Sequence, residues 1–202
     1  SLKQNPNPLS FEEMVVPKLN EGEVLIRVTR CGVCHTELDE IEGRTPPPRL
    51  PVVLGHQVVG NVMESDSLLS EAQKHTHTGT RAPAIQIGQR VGVAWIASAC
   101  GTCQHCLSGN ENLCADFKAT GRDINGGYAE YMKVRAEFVH PIPEAFTDSE
   151  AAPLLCAGAI GYRSLRLSNI QDGQSLGLMG FGGSNHLVLK IAKYKYPNSK
   201  IF

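Results

Sequence analysis

The chain has 202 residues, 42% of them hydrophobic, with 19 Lys+Arg against 20 Asp+Glu and a formal net charge of −1. That length gives one to two domains, and that apolar content supports a packed core rather than a disordered chain. The charges are spread without long blocks, which excludes a basic nucleic-acid stripe or an acidic tail, and no run of eighteen apolar residues offers a membrane span.

In chain order, Val24, Ile26 and Val28 alternate with Leu25, Arg27 and Thr29 after the Glu21–Gly22 turn signal, which predicts a strand. Short runs at Pro51–Leu54, Val58–Val59, Arg90–Val93 and Tyr128–Val134 are bounded by Gly or Pro and predict a β-rich barrel or sandwich. From Glu64 to Ala84 the chain turns polar and reads as an exposed loop with a short helix at Leu68–Ala72, His75 and His77 being solvated. Thr147-x-x-Glu150 is a capping box opening a helical stretch to Leu167. After Asp172–Gly173 come an apolar strand run Ser175–Phe181, a glycine turn, a helical stretch Leu187–Tyr194 and a strand start at Lys200–Phe202. That order is a βαβ unit.

Seven cysteines are an odd number, and four of them, Cys100, Cys103, Cys106 and Cys114, share one segment. This usage fits a metal protein of a reducing compartment better than a secreted disulfide scaffold, and the start of the chain shows no signal peptide. Two-residue gaps let one tight loop supply three thiolates, and the fourth closes a tetrahedral shell, the pattern of structural zinc. An iron–sulfur cluster is the rival, weakened because no Pro follows a fourth, nearby Cys. Cys34, His56 and Cys156 are dispersed, and each by itself also reads as an ordinary core residue.

The segments GEVLIRVTRCGVCHTE, LGHQVVG, CGTCQHCLSGNENLC, GGYAEY, AAPLLCAG and GFGGSNH together resemble the medium-chain zinc-dependent alcohol dehydrogenases, from about Pro8 to Phe202 and most closely a bacterial branch. The resemblance implies a GroES-like β domain over 1–147 and the opening of a Rossmann dinucleotide-binding domain over 148–202. It implies two zinc ions, a catalytic one on Cys34, His56 and Cys156 and a structural one on the four-cysteine loop. It also implies NAD or NADP, with His35, Gly180, Gly182 and Gly183 at the cofactor pyrophosphate, and a small primary alcohol or aldehyde as substrate. Thr36 matches the hydroxyl that takes the alcohol proton, and Trp95 matches a residue of the substrate pocket. The implied setting is the cytoplasm and the implied assembly a dimer or tetramer, with no nucleic-acid or membrane partner.

Several positions depart from the family's pattern. Glu37 replaces an Asp but can still accept from His56, and Gln57 replaces an acid, removing negative charge near the metal. Asp39 stands where a relay His is frequent, Ile160 where many members place a Thr near the nicotinamide, and Asn185 where the third Gly of the fingerprint is expected. The cofactor domain of the family runs beyond Phe202, and the ends of the sequence read as trimmed. A zinc-binding module without catalysis is the alternative reading.

Overall fold

The computed structural model describes residues 9–66 and 85–202. The expected helix at Leu68–Ala72, most of the 64–84 loop, and His75 and His77 lie outside the described residues. The chain divides into two compact units, Ser1–Ala152 and Pro153–Phe202.

The first unit is built on a five-stranded antiparallel sheet in the order β6-β1-β2-β3-β7. Its strands are β1 (Glu23–Cys31), β2 (Val58–Ser65), β3 (Arg90–Val93), β6 (Tyr131–Arg135) and β7 (Val139–Pro141). The alternation read from the sequence puts Val24 and Ile26 at 0% exposure, where they meet Val58, Val62, Val91, Val93, Met132 and Val134 in one core. Burying such a side chain contributes about 1.5–3 kcal/mol over leaving it exposed. The polar stretch begins later than the sequence suggests, because Glu64 and Ser65 still pair with Leu25 and Val24.

Strand β2 runs between two neighbours, and Gly60 makes that possible at its tightest point. A Cβ there would lie 2.3 Å from the Arg27 carbonyl oxygen and 2.6 Å from the Ile26 side chain. Pro51–Leu54 and Tyr128–Glu130, expected to be strands, are outside the ladders. They bond to each other instead, through Gly126 N–H to the Val53 carbonyl and Tyr128 N–H to the Leu54 carbonyl. Glycines account for the irregular path, since a Cβ on Gly126 would lie 2.1 Å from the Gly55 carbonyl oxygen.

A two-stranded ribbon, β4 (Ile96–Ser98) with β5 (Lys118–Ala119), carries the cysteine-rich segment between its strands. Helix α1 (His35–Ile41) follows β1, and helix α2 (Gln104–Leu107) lies within the cysteine segment. Helix α3 (Asp148–Ala151) begins at the expected capping box: Glu150 N–H donates to Thr147 Oγ1, and Thr147 N–H to the Glu150 carboxylate. Arg90 pairs with Asp148 at 3.1 Å and Arg30 donates to Ser149, so this helix belongs with the sheet.

The second unit comprises helix α4 (Ala157–Leu167), β8 (Ser175–Leu176), helix α5 (Gly183–Lys195) and β9 (Lys200–Ile201). Strands β8 and β9 are parallel, so α5 is the crossover of a βαβ unit. The strand is shorter than the expected Ser175–Phe181, ending at Leu176 opposite the two-residue β9, and the helix is longer than Leu187–Tyr194, opening at Gly183. Leu165, Ile170, Val188 and Ala192 form its core. Gly161 brings the two helices together: a Cβ there would lie 2.7 Å from Val188 Cγ2. Asn169, at φ 52°, ends α4 in the left-handed conformation an Asn tolerates. Among the described residues, no helix is long and apolar enough to cross a membrane.

Candidate metal centres

The four-cysteine loop folds so that its sulfurs converge. Gly101, at φ +76°, turns the chain after Cys100, Cys103 sits at the N-terminus of α2, and a short 3₁₀ turn, Glu111–Leu113, delivers Cys114. Cys100 Sγ lies 3.8 Å from Cys106 Sγ, and Cys103 Sγ 3.6 Å from Cys106 Sγ. A tetrahedral zinc with Zn–S of ~2.3 Å requires sulfurs about 3.8 Å apart, so the spacing fits that ion. All four ligand atoms lie within 4.8 Å of one another. The backbone N–H groups of Cys103 and Cys100 donate to Cys100 Sγ and Cys114 Sγ, at 3.3 and 3.4 Å. Backbone donors from Thr102 and Cys103 draw the Cys100 thiol down to about 6, whereas burial pushes Cys106 up to about 12.

A second cluster forms where β1 leaves the sheet. Cys34 is the N-cap of α1, its Sγ accepting from the Thr36 N–H at 3.3 Å. Glu37 closes the capping box by accepting from the Cys34 N–H at 2.8 Å through Oε2. Its other oxygen, Oε1, lies 2.6 Å from His56 Nδ1, with both side chains at most 2% exposed. One carboxylate therefore fixes the start of the helix and the orientation of the imidazole. His56 Nε2 then faces Cys34 Sγ at 3.4 Å. A tetrahedral ion with ~2.3 Å to sulfur and ~2.05 Å to nitrogen needs about 3.6 Å between those atoms, so this pair also fits zinc. Burial lowers the basicity of His56, but Cys34 and Glu37 outweigh it and raise its pKa to about 9.

The surroundings of that pair are packed tightly. Gly55, at φ +99°, leads into His56, and a Cβ on it would lie 2.6 Å from the Tyr128 ring and 2.8 Å from Cys31 Sγ. Burial pushes the Cys31 thiol up to about 11, consistent with a small packing residue. Trp95 meets His56 edge-on at 4.9 Å, and Phe117 lies 6.3 Å beyond Trp95. Gln57 is buried against Gly32, whose N–H donates to the Gln57 carbonyl at 2.9 Å. At the exposed end of α1, His35 lies 3.5 Å from Asp39 Oδ1 and 3.3 Å from an Arg44 nitrogen. Arg44 also grips Asp39 through Nε at 2.6 Å and pairs with Glu42.

The second unit holds the remaining residues singled out from the sequence. Cys156 is the N-cap of α4, its N–H donating to the Pro153 carbonyl at 3.4 Å. Gly180 has φ +75°, and Gly182 is the N-cap of α5 with no side-chain cap. Asn185 Nδ2 donates to the Met179 and Gly180 carbonyls, each at 2.8 Å.

Two participants escaped the sequence reading. Glu40 is 3% exposed, and burial together with the neighbouring Glu37 charge pushes it up to about 7. Its place three residues after Glu37, on the same face of α1, is the signal that points to it. Arg44 lies beyond the helix, and its grip on Asp39 has no sequence signature.

Residues 20–144 match the alcohol dehydrogenase GroES-like domain. The chain belongs to that family. It is 44% identical over 92% of its length to a probable alcohol dehydrogenase, AdhA, of Mycobacterium tuberculosis, covering 51% of that protein. An alcohol dehydrogenase of Geobacillus stearothermophilus is 41% identical over 92% of the chain, again with 51% of the relative covered. The chain thus spans about half the length of the curated relatives it matches. Among solved structures, the alcohol dehydrogenase of Aeropyrum pernix superposes with a TM-score of 0.81 at 26% identity, over 98% of this chain and 56% of that one. A cinnamyl alcohol dehydrogenase of Sorghum bicolor gives 0.77 at 31% identity, over 93% and 52%. The GroES-like match covers the sheet, Cys34, His56 and the four-cysteine loop.

Proposed function

We propose that this sequence carries the metal-holding part of a zinc-dependent alcohol dehydrogenase, reversibly transferring hydride between a small primary alcohol or aldehyde and NAD or NADP. The observation that carries the reading is the buried Glu37–His56 pair beside the half-buried Cys34, with one imidazole nitrogen against a carboxylate and the other facing a thiol. Residues 1–147 form the metal-holding domain in this reading, and 148–202 the opening of a Rossmann cofactor domain. The four-cysteine loop holds a closed, structural zinc. Cys34, His56 and Cys156 supply a two-cysteine, one-histidine set that leaves a coordination position open, the pattern of catalytic zinc in alcohol dehydrogenases. Zinc bound there supplies a Lewis acid that polarises the substrate oxygen.

The chain's own residues do the rest. Glu37 faces His56 Nδ1 and leaves Nε2 as the nitrogen that would ligate once its proton is displaced. Gln57 keeps the neighbourhood short of a negative charge that an acid would place there. Thr36 takes the alcohol proton, and Trp95 presents an indole wall that favours slender primary substrates. Asp39 is held in an ion pair with Arg44 and is thereby a poor last carrier of the proton. His35 and the turn Gly180–Gly182–Gly183 receive the cofactor pyrophosphate, where the N-terminal amides of α5 lack helical partners. The protein functions in the cytoplasm as a dimer or tetramer in this account.

The test is direct. The zinc-loaded polypeptide carrying this sequence is given NAD or NADP with short primary alcohols, and reduced nicotinamide and NADH binding are followed by fluorescence. Binding and reduction are expected. Zinc binding with no affinity for either nicotinamide would replace this reading with a non-catalytic zinc module.

A further inference from the structure

The glycine turn before α5 departs from the dinucleotide fingerprint at Asn185, and the structure gives that side chain a definite task. Nδ2 donates to two successive carbonyls, Met179 and Gly180, at 2.8 Å each. These carbonyls flank the turn in which Gly180 takes φ +75° and Gly182 opens the helix. The first bond within α5 runs from the His186 N–H to the Gly182 carbonyl, at 3.0 Å. The amides of Gly183, Ser184 and Asn185 precede it and are left outside the helical pattern. Among the described residues, no side chain caps them.

A phosphate approaching those amides is attracted by their N–H groups and repelled by any carbonyl oxygen turned toward it. We propose that Asn185 is a positioning residue for the cofactor pyrophosphate, tying the Met179 and Gly180 carbonyls to the start of α5 so that the turn presents amides alone. The inference rests on the cofactor-binding reading above. Asn185 is half-buried, and the side chain that the third fingerprint position carries here serves to brace the turn. Phe181 meets His186 edge-on at 6.0 Å but is 66% exposed, Met179 is 96% exposed, and a Cβ on Gly180 or Gly182 would meet nothing within 4 Å.

The experiment compares the unsubstituted polypeptide with Asn185→Ala, Asn185→Gly and Asn185→Asp. NADH and ADP serve as probes for Kd, and amide hydrogen exchange is read without nucleotide. Asn185→Ala and Asn185→Gly are expected to weaken both probes about tenfold, the scale of a lost hydrogen bond or two. Asn185→Asp, which sets a charge against two carbonyls and the phosphate, is expected to weaken them further. Val188–Ala192 should keep their exchange protection in all three variants. Affinity within twofold of the unsubstituted chain overturns the assignment and leaves the cofactor reading standing. Loss of affinity accompanied by loss of exchange protection throughout α5 overturns it too, because Asn185 would then be holding the helix rather than the turn. An unsubstituted, zinc-loaded polypeptide that binds neither probe overturns the cofactor reading and this inference with it.

Discussion

Replacing Glu37 by Gln tests the logic of the buried cluster, because one carboxylate serves two donors there. Glu37 accepts from the Cys34 N–H at 2.8 Å and lies 2.6 Å from His56 Nδ1. The amide keeps its size but has one oxygen and one NH₂, so whichever donor meets the NH₂ loses its acceptor. The position is 1% exposed, and water cannot compensate. A buried donor left unpaired costs about 1–3 kcal/mol. Losing the partner of a metal-ligating histidine typically lowers metal affinity by about 10–100-fold, which is ~1.4–2.7 kcal/mol. The two scales agree, so Glu37→Gln should weaken one zinc by 10–100-fold, on the order of those figures, and leave the four-cysteine zinc unchanged. Metal-free protein titrated with zinc against a chelator of known affinity resolves the two sites, and cobalt in place of zinc reports which site has changed through its thiolate absorption. Both affinities unchanged within twofold, or an equal fall at both sites, would refute the reasoning.

Other substitutions probe separate parts of the fold. Cys103→Ser should lower the metal content by one zinc and destabilise the protein in a denaturant titration, since metal binding at a closed site is folding free energy; unchanged stability would count against the closed shell. Gly60→Ala should cost about 1–3 kcal/mol in the same titration, because the added Cβ would press on the Arg27 carbonyl oxygen at 2.3 Å. Thr147→Ala should cost about 1 kcal/mol by removing the cap of α3. The Glu150 carboxyl of that capping box is held below its ordinary 4.5 by the Thr147 N–H. The Thr147 hydroxyl also donates to that carboxylate at 2.7 Å, a contribution full above pH 4.5 and lost as pH falls through the lowered value; Thr147→Ala keeps the N–H but lacks the hydroxyl, so that part of its deficit should shrink in acid.

Features governed by local spacing were legible in the sequence. The two-residue gaps of the cysteine loop specify converging sulfurs, and Thr147-x-x-Glu150 specifies a capped helix without reference to the rest of the chain. Alternation located β1 and placed Val24 and Ile26 in the core, but Leu25 on the opposite face is buried as well and Val28 only half-buried. Features that depend on distant chain segments were not legible in that way. Pro51–Leu54 and Tyr128–Glu130 have strand-like composition, yet glycines at 55, 121, 126 and 127 let the two segments cross too closely and irregularly for a ladder. Cys34 as a helix cap was missed because cysteine is not a usual capping residue; the sulfur takes the role because Glu37 closes the box from the other side. The family's motifs pointed to Cys34, His56 and Glu37 individually, but that one carboxylate joins the helix cap to the imidazole is a fact of three-dimensional placement. The burial of Glu40 and the grip of Arg44 on Asp39 are facts of the same kind.

The central claim is that two separate zinc sites share this chain, one closed and one built around His56. Native mass spectrometry of the zinc-loaded polypeptide, alongside its His56→Ala and Cys156→Ser forms, tests it most directly. The account predicts two zinc ions in the unsubstituted chain and one, retained by the four-cysteine loop, in each variant. A single zinc in the unsubstituted chain, or two in His56→Ala, would contradict it.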